Sequence, residues 1–198
     1  MWIIELENLL LEELLSEWEP FLFSRDVYWP GYIKRKNLPS TYKNLRISAG
    51  RLLIATKLLS EEVVRNVDVS SVIVDNLQKF NELTNQWKSN WTKKIEIEIP
   101  VRTRQWQRII KEIDSDRDYS NYQLGNDLQI RLLLGLLVDE VDHSEKNNYL
   151  EMIKISDMKF RALTFENDFV WEDQYSILFN RDQFWYLYRT FSDSGGEK

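Results

Sequence analysis

The chain has no cysteine, one histidine, six glycines and four prolines in 198 residues. Lacking cysteine, it can form no disulfide, thiolate nucleophile or thiolate metal site, and this composition fits a reducing compartment, so a cytoplasmic setting is expected. Any Ser-His-Asp arrangement would depend on His143, and no Gly-x-Ser-x-Gly element presents a serine. The glycine-rich loops that cradle nucleotide phosphates are also absent. The longest apolar run, 132–138, contains Gly135 and is about a third of the ~20 residues needed to span a bilayer, so no membrane partner is expected. Glu5 and Glu7 stand where an export signal would be positive, and no export is expected.

Hydrophobic residues make up 43% of the chain and aromatic residues 13%, enough for a core without covalent staples. With no linker-like stretch in sight, the expectation is one α-helical domain over 1–191 and a disordered tail over 192–198. The net charge of −6 conceals an asymmetry. Residues 1–20 hold six acidic and no basic side chains, whereas 21–60 hold eight basic and one acidic, which suggests attraction between neighbouring elements.

Periodicity points to a mainly α, single-domain helical bundle of about six or seven helices. Ile3, Leu6, Leu10, Leu14 and Trp18 share one side of a helical wheel that Pro20 should end. A loop is expected from Phe21 to Pro39, packed by Trp29 and Tyr32. Ser40 is a candidate cap for a second helix bearing Leu45, Ala49, Leu52, Leu53 and Leu59, with Gly50 inside it. The valine-rich stretch 63–74 has a strand-like start, and Ile73, Leu77, Phe80, Trp87 and Trp91 predict a helix over 71–92. The alternation in 95–99 reads as one short strand or extended segment closed by Pro100. Pro100 suits the first turn of a helix carrying Trp106, Ile109, Ile110 and Ile113. The segment 124–141 is apolar on nearly all sides, the pattern of a central helix. Ser144 is a candidate cap for a sixth helix with Leu150, Ile153, Met158 and Leu163 or near neighbours at its apolar positions.

Glu140 and His143 have the Glu-x-x-His spacing with which two helical side chains share a metal, but a di-metal site requires a second such element and there is no second histidine. Adjacent carboxylates such as Glu61-Glu62 do not face each other on a helix. No catalytic residue, metal ligand or cofactor is therefore expected.

Two basic clusters and one aromatic run remain. Lys34, Arg35, Lys36, Lys43 and Arg46 are interleaved with tyrosines, and Arg102, Arg104, Arg108 and Lys111 sit at or near one helical face. Five consecutive large residues, 184–188, cannot all point inward from one element, which singles out Trp185, Tyr186 and Tyr188. The reading that follows is a non-enzymatic interaction module or subunit of a larger intracellular assembly, binding a protein partner or itself. The alternative is a nucleic-acid-binding subunit in which the basic clusters track phosphates.

Overall fold

The computed structural model describes residues 2–30, 46–66, 70–116 and 118–191, and it is mainly α-helical. The helices are α1 (Ile4–Ser16), α2 (Trp18–Phe23), α3 (Ala49–Arg65), α4 (Ser71–Gln86), α5 (Lys88–Ser115), α6 (Asn121–Asp139) and α7 (His143–Leu163). Two antiparallel strand pairs of two residues each accompany them: β1 (Trp29–Pro30) with β2 (Arg46–Ile47), and β3 (Phe165–Glu166) with β4 (Arg189–Thr190). The chain divides into two compact units between Glu98 and Ile99, a point inside α5.

In the N-terminal unit, Leu6, Leu10, Leu11 and Leu14 of α1 are buried, as the wheel predicts. Pro20 does not end the helical stretch. It occupies the first turn of α2, where amides lack intrahelical acceptors, so its missing N–H removes no bond. Trp18, Phe80 and Trp91 form an aromatic cluster with ring centroids 5.6 to 5.8 Å apart. Trp29 donates its indole N–H to Glu17 at 2.6 Å. Tyr32, Ser40 and Leu45 lie outside the described residues. The observed cap of α3 is Ser48, and Gly50 lies in the first turn, with its N–H donated to Glu98 at 3.1 Å. Part of the charge asymmetry is settled here, since Arg51 donates to the fully buried Glu7 at 2.5 Å.

The expected strand at 95–99 is helical instead, and Pro100 lies in the interior of the 28-residue α5. Trp91, Ile95, Ile99, Thr103, Trp106, Ile110 and Ile113 are all buried at three- and four-residue spacing, a longer and stronger signal than the five-residue alternation embedded in it. Ile97, which a two-residue period would place beside Ile95 and Ile99, is exposed. The predicted helix over 71–92 is likewise divided at Trp87, where α4 ends and α5 begins.

In the C-terminal unit, α6 opens with a complete capping box: Ser120 accepts from the Gln123 amide, and the Gln123 side chain accepts from the Ser120 amide. Its buried residues include Leu124, Leu128, Leu132, Leu134 and Leu137, in keeping with the central helix expected over 124–141. Asp142, not Ser144, precedes the first residue of α7. After β3 the chain forms short 3₁₀ turns at Asp173–Leu178 and Trp185–Tyr188 before β4 returns to pair with β3.

Candidate interaction surface

Helix α7 buries Ile153, Ser156 and Phe160 on one face. Outside that face, Met152, Ile155 and Met158 are 47%, 71% and 62% exposed. Steps of three residues keep these side chains within an arc of about 120° and on successive turns, so they form one strip. The other exposed apolar side chains include Leu150 elsewhere on α7, Val72 and Val74 on α4, and single residues such as Val64, Tyr122 and Ile177 on other elements. Scattered apolar residues are ordinary on a protein surface, and a contiguous strip is the less usual arrangement.

The strip is held in place from beneath. Asp157, one position before Met158, accepts two hydrogen bonds from Arg131 of α6, at 2.9 and 2.7 Å, and a third from the Trp106 indole at 2.9 Å. Burial disfavours the Arg131 cation, but the hydrogen-bonded Asp157 together with Tyr186 and Asp139 keeps the guanidinium above its ordinary pKa. Arg131 also lies over the Tyr186 ring, 4.5 Å from its centroid. A bidentate guanidinium–carboxylate pair with an aromatic lid fixes the rotation of α7 about its own axis, and so decides which side chains face outward.

Beside this network is a cleft of about 160 Å³ whose walls include Arg131, Gly135, Asp139, Gln183 and Tyr186. Burial raises the Tyr186 pKa, against the opposing effect of the Arg131 cation, and keeps the phenol neutral; its hydroxyl has no hydrogen-bond partner among the described residues. Asp139 accepts from Lys146 at 2.6 Å and from Gln183 at 2.7 Å. These polar groups bind one another and bridge α6, α7 and the C-terminal segment.

The residues singled out in the sequence are distributed differently from expectation. Tyr186 is 1% exposed and so is unavailable to a partner. Trp185 is half-buried beneath Arg161, which lies 3.5 Å from its ring, and Tyr188 donates its hydroxyl to the Phe179 carbonyl at 2.7 Å. The aromatic run meets its own unit because residues 185–188 form a 3₁₀ turn capped by Phe184, which sends successive side chains in different directions. Arg102 is buried and donates to Gln105, while Arg104, Arg108 and Lys111 are exposed on α5. Lys34, Arg35, Lys36 and Lys43 lie outside the described residues, as does the Arg46 side chain. Glu140 follows the end of α6 and His143 begins α7, so the pair does not share a helix. Among the described residues no group of three potential ligands could hold a metal ion, and no helix is long and apolar enough to cross a membrane.

Met158, expected on the buried stripe of α7, is exposed instead, as are Met152 and Ile155. Two apolar periodicities coexist in that helix, and only the position of Asp157 against Arg131 tells them apart. No family model matches the chain, and neither a curated protein nor a solved structure matches it.

Proposed function

We propose that this chain is a non-enzymatic α-helical interaction module, or a subunit of a larger intracellular assembly, that docks through the outward face of α7. The observation carrying this reading is the exposed Met152, Ile155 and Met158 strip on a helix whose orientation a buried ion pair holds. Methionine suits such a face, being unbranched and polarizable and able to mould to a partner. The cysteine-free composition supports a cytoplasmic setting. A photo-crosslinking residue at position 155 in the full chain, compared with one at the exposed polar Asn81 of α4, tests the reading in living cells. A discrete protein adduct at 155 and none at 81 is expected; no adduct at 155 overturns it.

The nucleic-acid reading rests on Arg104, Arg108 and Lys111, which form an exposed basic face on α5. Arg108 is 3.4 Å from Glu112, so part of that charge is already offset. Binding to single-stranded or duplex nucleic acid that weakens steeply with salt would support this alternative, and no binding at low salt would end it.

A further inference from the structure

We infer that the partner of the α7 face is a second copy of this chain, paired antiparallel about a two-fold axis beside Ile155. This rests on the reading of that face as a docking surface and names its occupant.

The spacing around Ile155 is self-complementary. Met152 and Met158 stand three residues to either side of it, Glu151 and Lys159 four, and Asn148 and Ala162 seven. In an antiparallel pair centred on Ile155, a residue n positions before the centre lies level with the residue n positions after it in the other copy. Met152 is then level with Met158 of the second copy, and Ile155 meets its own counterpart. Glu151 faces Lys159 across the seam, and symmetry repeats that pair. Asn148 and Ala162 at the ends are small enough to let the helices approach.

Parallel pairing would place Glu151 against Glu151 and Lys159 against Lys159, which repel. The charge pattern therefore selects one orientation. Glu151 already pairs with Lys154 at 2.9 Å within the helix, while Lys159 makes no ion pair among the described residues. A second copy would supply the carboxylate that Lys159 lacks.

Three apolar side chains per copy fall well short of the roughly 800 Å² per partner of a standard interface, so the pairing is weak and concentration-dependent.

Sedimentation equilibrium on the full chain tests it, using wild type, Glu151→Lys, Lys159→Glu, Ile155→Arg and an equimolar mixture of the two charge variants. All three positions are solvent-facing, so circular dichroism should show unchanged helicity. Wild type should show a reversible monomer–dimer equilibrium, each charge variant should dissociate about tenfold more readily, and Ile155→Arg should be monomeric. Mixing Glu151→Lys with Lys159→Glu should restore association, because both cross-pairs become attractive in the heterodimer. A strictly monomeric wild type, or a mixture that fails to recover, overturns the inference. If position 155 crosslinks only to a different protein while wild type stays monomeric, the self-pairing fails and the docking surface stands. If 155 yields no adduct at all, both fall.

Discussion

Gly135 shows how one missing side chain is set by its surroundings. In a helix interior glycine is about 1 kcal/mol worse than alanine, so Gly135→Ala should ordinarily stabilise α6. Here the new Cβ would lie 3.0 Å from the Tyr186 hydroxyl and 3.4 Å from Arg131 Nη1. Gly135→Ala alone should therefore give no gain in urea midpoint, whereas Gly135→Ala in a Tyr186→Phe background should recover it. Equal gains in both backgrounds would show that the hydroxyl imposes no constraint. Asp157 is subject to a harsher rule. Removing one partner of a buried ion pair leaves the other charge uncompensated, and Asp157→Ala should cost about 3 kcal/mol, measured by urea unfolding. Because Asp157 also orients the α7 face, the same variant should weaken any dimer that forms.

Helix α5 is the element where sequence and structure parted. Pro100 lacks the N–H that would bond the Glu96 carbonyl, yet the helix runs on through it. The continuous burial of Trp91 to Ile113 at helical spacing outweighs that local penalty. Pro100→Ala should restore the missing bond and raise stability by about 1 to 3 kcal/mol, read from the denaturant midpoint. A loss instead would mean that the proline ring contributes packing that alanine cannot replace. α1 and α6 were legible because each shows a single apolar period, whether narrow or all-round. The 95–99 segment misled because Glu98 is buried: it accepts from the Ser48 hydroxyl at 2.8 Å and from the Gly50 amide, a distant partner that no local pattern reveals. The outward strip of α7 went unread for a similar reason, since its apolar residues imitate a core stripe and only Arg131 shows which side is out.

For the whole chain, alkaline pH should act on the two units in opposite directions. In the N-terminal unit Lys94 is buried, and burial lowers its pKa below the usual 10.5 despite the nearby Asp26 and Glu98. A cation whose folded pKa is depressed costs stability at neutral pH, and that cost is relieved as pH rises towards 10.5. In the C-terminal unit burial raises the pKa of Tyr119, Tyr186 and Tyr188 above 10.0. Their contribution is fully present below pH 10 and is lost above it, once the unfolded phenols ionise. Fluorine-labelled tryptophan spectra, with Trp18 and Trp91 reporting one unit and Trp106 and Trp185 the other, should show the C-terminal signals melting first above pH 10. Simultaneous loss of all four would contradict this. Nothing in the composition announced the division into units, because it falls inside a helix and no linker marks it.

The bond between Glu98 and the start of α3 also bears on how the protein is made. Ser48 and Gly50 leave the ribosome some fifty residues ahead of the carboxylate they bind, so α3 starts without that partner until about half the chain has been synthesised. Until then Leu52, Ala55, Leu58 and Leu59 belong to a helix awaiting its closing contact. A nascent chain stalled before Glu98 should be digested readily within α3, and one stalled well beyond it should resist.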